Sequence, residues 1–434
     1  MTERRDVVLT TMFSRGDVAP FVRLGARLAA RGHRVTLVTH APYRALAESA
    51  GLAFATWDTP EEHAAMMEDG ELFNDIAGFE TIYERYVVPA LAREADALRA
   101  HCSASTVLLT RCGPALAARA VAEQTGATLV EVFLGPGHVS PPEVLAEFVR
   151  PFAAAIAALR GRDQALETWV GACNSRFGLW PDWFAPAEPH WPPKLALVGF
   201  ATDEPAGARV DPELAAVLDA PGRKVLLACG TGHFLSRSVV EACARVATML
   251  DATLFLSTPF DDLVPQPLPP AVRWYRSLPY GDVVPRMDLV IHHGGIGTVQ
   301  DALRAGVPQI ALGTGGDRPI NASCIQRLGV GRYVRPAEWG EAAIRDAAEG
   351  LLAEAPRRAC AQIAERLRGE RGDAACELVE SLPRESFAAA IVHGAATATR
   401  ADAAAVRPGD AARLASLSPA QRALLLRRLR KRDA

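Results

Sequence analysis

The chain has 434 residues, 49% of them apolar and 22% charged, with a mean hydropathy of +0.07. Its 47 basic residues against 50 acidic ones leave a formal charge of −3, which excludes wholesale disorder and a bulk electrostatic grip on nucleic acid. A single hydrophobic core stops growing near ~250–300 residues, so two domains are expected.

The opening, MTERRDVVLTT, is charged and carries only a short apolar stretch, and no run reaches the roughly 18 apolar residues of a membrane helix. Eight cysteines are widely spaced without a CxxC pair, so neither a disulfide framework nor a zinc ribbon is expected and a cytoplasmic location fits. Residues 5–40 read as an apolar strand, a glycine-containing loop, an amphipathic helix ending near Gly32 and a second β-branched strand, which is one βαβ unit. In its loop, SRGDVAP, Asp17 stands ahead of a helix with Pro20 in the first turn; this suits a helix cap, and it also suits a carboxylate that takes a proton. His40 closes the second strand, and the stretches 57–79 and 135–142 (GPGHVSPP, with His138) are candidate ligand-lining loops.

Residues 199–221 carry proline, glycine and acids, and a linker is expected at about 202–216. Residues 223–257 then repeat the first scheme, with Gly230, Thr231 and Gly232 in the loop. Two Rossmann-like α/β domains with parallel sheets are expected, 1–205 and 206–382, with ligands at the carboxyl ends of the strands and the cleft between domains as the default site. Residues 383–415 read as an alanine-rich linker, and 416–434 as a helix announced by Ser418 and Pro419, its basic residues forming a solvated face.

The sharpest segment is LVIHHGGIGTVQDALRAGVPQIALGTGGDRPIN, residues 289–321. A buried strand runs through His292, His293, Gly294, Gly295, Ile296, Gly297 and Thr298 into a helix. Glycines at such a turn let a ligand approach the backbone, and the helix N-terminus offers free amides, so the block reads as a phosphate or diphosphate seat. The same glycines would also permit close packing of strand on helix. No GxxxxGK[ST], GxGxxG, DxD or HExxH occurs, so neither P-loop hydrolysis, dinucleotide redox chemistry nor a metal-bridged diphosphate is suggested.

At these residues the sequence resembles the GT-B-fold glycosyltransferases that act on sterols, macrolides and glycopeptide aglycones. The resemblance runs over about residues 5–382 and peaks in HHGGIGTVQDALRAGVPQ. It implies an α/β fold of two facing Rossmann-like domains, an N-terminal one for the acceptor and a C-terminal one for a nucleotide-diphosphate sugar, with metal-independent, inverting transfer and no cofactor beyond the donor, a UDP-sugar by preference. His293 corresponds to the imidazole on the donor diphosphate, with Gly294, Gly295, Gly297 and Thr298 at the phosphate turn and Thr231 facing the donor. Asp301 stands where some relatives bind the ribose hydroxyls, and Asp317 where an acid contacts the sugar. Two positions depart from the pattern. Arg318, followed by Pro319 and Asn321, replaces the usual glutamine, and Ser277 and Leu278 precede Pro279 where an aromatic stacks on the base, leaving Trp274 or Tyr275 to supply it from another register.

The same resemblance makes Asp17 the residue that assists acceptor deprotonation, with Ser14, His40 and His138 lining the acceptor. The tail, LSPAQRALLLRRLR, is similar to the stretch that opens condensation regions of nonribosomal peptide synthetases, which implies such a synthetase as a partner and a small-molecule or peptide-like natural product of bacterial antibiotic biosynthesis as acceptor. The alternatives are a nucleotide-sugar epimerase and a non-catalytic partner module of the same fold.

Overall fold

The computed structural model describes residues 3–69, 81–113, 115–161, 166–189, 191–192, 194–201, 210–370 and 372–392. The expected helix 416–434, most of the expected linkers and part of the 57–79 loop lie outside them. The chain forms two units, one comprising Met1–Ala201 with the segment from Gly372 onward, the other Thr202–Arg371.

In the first unit, seven strands form one parallel sheet: β1 Asp6–Thr10, β2 Arg34–Val38, β3 Ala53–Ala55, β4 Thr106–Arg111, β5 Thr128–Phe133, β6 Ser175–Gly178 and β7 Ala196–Leu197, in the order β3-β2-β1-β4-β5-β6-β7. The central strands are apolar at successive positions because both faces are covered, as parallel sheets require. Alternate residues serve opposite layers. Val7 and Leu9 pack with Phe21, Val22 and Leu28 of helix α1 (Arg15–Ala30), whereas Val8 and Leu108 pack with Ala117 and Val121 of a later helix, Leu116–Thr125. Inside that second layer Arg119, fully buried, donates to Glu131 and to the carbonyls of Trp169 and Ala172, so a buried cation is matched on several sides.

In the second unit, β8 (Arg223–Ala228), β9 (Ala252–Ser257), β10 (Val272–Tyr275), β11 (Leu289–His292), β12 (Gln309–Ala311) and β13 (Gly331–Tyr333) form a parallel sheet in the order β10-β9-β8-β11-β12-β13. Helix Arg237–Met249 covers one face through Val239, Val240, Cys243 and Val246 against Leu227, Leu254 and Ile291. Ligands of such sheets sit where the strand order reverses. That point falls between β1 and β4 in the first unit and between β8 and β11 in the second.

One boundary needs correction. The second domain was expected to run to residue 382, followed by a linker, but the chain rejoins the first unit at Gly372. Helix Ala374–Ser381 turns Ala375, Cys376 and Val379 into the layer that holds α1. Arg31 and His33 both bond Glu380, and Arg5 donates to the carbonyls of Glu380 and Leu382. Phe387, fully buried, and Ile391 then fill the opposite layer. The alanine content hid these few anchoring residues.

Candidate functional site

In the second unit the strand ends at the reversal carry three loops. The loop after β8 holds Gly230 and Phe234, the one after β11 holds His293 to Gly295 ahead of helix α2 (Ile296–Ala305), and the one after β12 leads into helix α3 (Arg318–Arg327). His293 is the centre of this region. A Cβ on Gly230 would lie 2.7 Å from its Cε1, and one on Gly295 would lie 3.0 Å from the same atom and closer to Nε2, so both glycines are there to make room for the imidazole. Phe234 stacks on the ring with centroids 4.9 Å apart and planes at 14°, and the guanidinium of Arg318 lies over Phe234, 4.1 Å from its centroid. His293 Nδ1 faces the Ala228 carbonyl at 3.4 Å. Burial, reinforced by the Arg318 cation, pushes the imidazole down to about 4 and leaves it neutral near pH 7.

The turn itself is braced from below. His292, fully buried, bonds Gln309 Oε1 through Nε2 and accepts the Gly294 N–H at Nδ1, and burial together with His293 pushes it down to about 3. Gly294 needs its positive φ of 91° to turn the chain. Asn321, fully buried, donates to the Gly294 carbonyl at 3.1 Å and to Asp317 Oδ2 at 2.7 Å. It therefore ties the turn after β11 to the Asp317 loop.

The other expected donor residues separate. Thr298 is buried in the first turn of α2 and Thr231 is exposed on the β8 loop. Among the described residues no atom lies within 4 Å of a Cβ placed on Gly297, so their packing does not demand a glycine there. Asp301 pairs with Arg304 at 3.3 Å. Leu278 packs with Val283 and Phe255 in the core, its side chain largely buried. Trp274 donates from Nε1 to the Thr258 carbonyl, and Tyr275 stacks parallel to Phe255 at 6.1 Å; both rings are thus held in the packing around β10. Phe234 went unread in the sequence, although an aromatic inside a glycine loop between strand and helix was a signal available there.

In the first unit the reversal carries Asp17. It is the third residue of α1, so Ser14 occupies the cap position and Asp17 itself does not. Ser14 donates to Asp17 Oδ2 from both N–H and hydroxyl, at 3.2 and 2.8 Å, and Arg111, the last residue of β4, pairs with Oδ1 at 3.0 Å. Phe13, just upstream, holds a φ of 80°, which costs energy for a residue with a side chain. Its carbonyl accepts from Tyr43 Oη at 3.1 Å and from His63 Nε2 at 3.0 Å, so two donors hold that conformation.

Beside this clamp lies a pair that the sequence reading half anticipated. His40 Nδ1 bonds Asp58 Oδ2 at 2.5 Å with both side chains 7% exposed. Asp58 also accepts from the Ala41 N–H and Thr56 Oγ1; burial alone would raise its carboxyl, but these bonds, led by His40, outweigh it and hold it below the ordinary value. His40 Nε2 is buried with no hydrogen-bond partner among the described residues, and Trp57 and His63 pack on its ring. His138 sits half-buried on the turn after β5. Among the described residues no group of His, Cys, Asp and Glu could hold a metal ion, and no helix is long and apolar enough to cross a membrane.

Two families match the chain: the glycosyltransferase family 28 N-terminal domain over residues 7–98, and the erythromycin biosynthesis protein CIII-like C-terminal domain over 246–383. The chain is 28% identical to O-mycaminosyltylonolide 6-deoxyallosyltransferase of Streptomyces fradiae over 417 residues, which covers 86% of this chain and 96% of that protein. It is 30% identical to glycosyltransferase GtfE of Amycolatopsis orientalis over 358 residues, 75% of this chain and 85% of the relative. Among solved structures, the glycotransferase of kitacinnamycin superposes with a TM-score of 0.70 at 22% identity, over 88% of this chain and 100% of that one.

Proposed function

The chain belongs to the GT-B-fold glycosyltransferases of the sterol, macrolide and glycopeptide-antibiotic type, and we propose that it transfers a sugar from a nucleotide-diphosphate donor to a hydroxyl or amine of a natural product, without metal and with inversion. The observation that carries this reading is the imidazole of His293, packed between two glycines at the strand-order reversal and at the start of α2. In the proposed step the acceptor oxygen or nitrogen attacks the anomeric carbon as its bond to the diphosphate breaks. The proton passes to a base on the first unit, and the departing diphosphate is met by the helix N-terminus and by groups around His293. A UDP-sugar is the proposed donor, and a cytoplasmic location fits eight cysteines that are all free thiols.

For the base, Asp17 is the proposed residue, and its support is a half-buried carboxylate at the reversal of the first sheet, held by Ser14 and Arg111. A second reading is favoured by one observation, the unpartnered Nε2 of His40 behind its Asp58 bond, an arrangement that suits an oriented general base. Asp17→Asn and His40→Gln separate them. The true base loses about a hundredfold or more of its turnover along with the acid limb of its pH profile, whereas the other residue costs little. A peptide-like acceptor and docking to a nonribosomal peptide synthetase rest on the tail sequence, and deleting residues 416–434 should then abolish co-purification with the synthetase while sparing transfer to a free acceptor.

The donor site is tested by calorimetric titration with UDP, GDP, dTDP, UDP-glucose and GDP-mannose in the absence of metal, beside His293→Ala. Binding of one of these by the wild type and about a hundredfold loss of transfer in the variant are expected. Wild-type turnover in His293→Ala would overturn the assignment.

A further inference from the structure

We propose that the Arg318 guanidinium binds the donor's diphosphate and supplies the positive charge that the departing group requires. This rests on the donor-site reading above and adds a residue to it.

Three observations converge. The Arg318 backbone lies against the phosphate turn: a Cβ on Gly294 would sit 3.0 Å from Arg318 Cβ and 3.2 Å from its carbonyl oxygen. Its head is fixed against the ring that stacks on the imidazole, because Nε donates to the Thr314 carbonyl and the guanidinium lies 4.1 Å from the centroid of Phe234, the partner of His293. The third observation is electrostatic. Arg318 is the first residue of α3, the end of a helix where a cation is disfavoured, and its charge acts on His293 strongly enough to help keep that ring neutral. A cation at that end of a helix costs stability, and an anion bound at the turn would offset the cost.

The chemistry then divides between the two side chains. A neutral imidazole brings no charge, and the amides at the start of α2 amount to about half a positive charge. The leaving diphosphate carries more negative charge than these balance. Arginine stays protonated at every working pH and presents a planar fork that fits two phosphate oxygens. As the bond from the anomeric carbon to the diphosphate oxygen breaks, the electron pair stays on that oxygen, and the guanidinium stabilises it without giving up a proton. The anion that Arg318 meets could instead be a carboxylate on the sugar, and the test separates these sources.

The experiment is titration of wild type, Arg318→Gln and Arg318→Lys with uridine, UDP, UDP-glucose and UDP-glucuronate, with dTDP and GDP as further probes and thermal unfolding as a check on folding. Arg318→Gln should weaken UDP and UDP-glucose by a common factor of about 10 to 100, leave uridine unchanged and flatten the fall of UDP affinity with salt. Arg318→Lys should lie between, keeping the charge without the fork. Unchanged UDP binding in Arg318→Gln would overturn the inference alone, as would a loss confined to UDP-glucuronate, which would make Arg318 a reader of acidic sugars. Failure of the wild type to bind UDP, dTDP or GDP would sink the donor site and this inference together.

Discussion

Gly295→Ala offers a clean test of the idea that glycines make the seat of His293. Gly295 has φ −64° and ψ 139°, a conformation that alanine adopts freely, so the substitution changes space and little else; its weaker capping costs under about 1 kcal/mol. The added methyl would lie 3.0 Å from His293 Cε1 and nearer to Nε2. The ring fits where it does because Gly230 on the other side also lacks a Cβ, and Phe234 stacks on it at 4.9 Å. Overpacking of this kind costs about 1–3 kcal/mol, and the imidazole relieves it by leaving its position. Losing one preorganised group at a reacting oxygen costs about 2.7–4 kcal/mol of barrier, or roughly 100- to 1000-fold in rate. Gly295→Ala should therefore be as inactive as His293→Ala, and the double variant no worse than either, because removing the ring removes the clash. Initial transfer rates on the four proteins, with urea unfolding as control, form the cycle. Near-normal activity in Gly295→Ala, or losses that multiply in the double variant, would refute the reasoning.

The other expectations concern the surroundings of the two sites. His292 and His293 are held down to about 3 and about 4, below the ordinary 6.5, so the unfolded chain binds protons that the native chain refuses; stability is complete above about pH 6.5 and falls as pH drops toward 4. Urea unfolding of wild type and His293→Ala at pH 7.5, 5.5 and 4.5 should show a shallower decline in the variant, and an identical decline would contradict the assignment. Asn321→Leu leaves the Gly294 carbonyl without its donor and should cost about 1–3 kcal/mol while weakening UDP binding, which denaturant midpoints and calorimetry would detect. Glu131→Ala strands the buried Arg119 cation and should cost about 3–5 kcal/mol; a change under about 1 kcal/mol in chemical denaturation would show that the carbonyls of Trp169 and Ala172 suffice without it.

The parallel scaffold was legible because each central strand is an uninterrupted apolar run, and VVLTT, VLLA and LVIH admit few other readings between glycine loops and amphipathic helices. His293 was legible for the same reason, as the residue that ends such a run at a glycine turn. What stayed hidden are pairings between distant segments. Nothing near Asp17 in the sequence points to Arg111, 94 positions on at the end of a neighbouring strand, and nothing near His40 points to Asp58, which in TWDTP looks like a helix cap until Thr59 takes that role by accepting from the Glu62 N–H. The return of Ala374–Ser381 to the first unit escaped similarly, since its contacts with Arg5, Arg31 and His33 span more than 340 positions.

The places where local rules fail also carry information. Phe13 takes a backbone conformation suited to glycine, Arg318 opens a helix at the end that repels it, and His40 buries a nitrogen with no partner among the described residues. Each costs free energy, and a folded chain has only about 5–15 kcal/mol of stability to set against such costs. These features are not scattered. Phe13 leads into the loop after β1, His40 follows the adjacent β2, and Arg318 follows β12 beside the turn of β11, so all lie at the carboxyl ends of strands near the two reversals of sheet order. Packing alone gives no reason for strain to collect there, because the best-packed layers lie along the sheet faces. Ligand binding at those strand ends, as proposed above, does give one, since conformations and placements that local rules disfavour persist where a site's chemistry requires them.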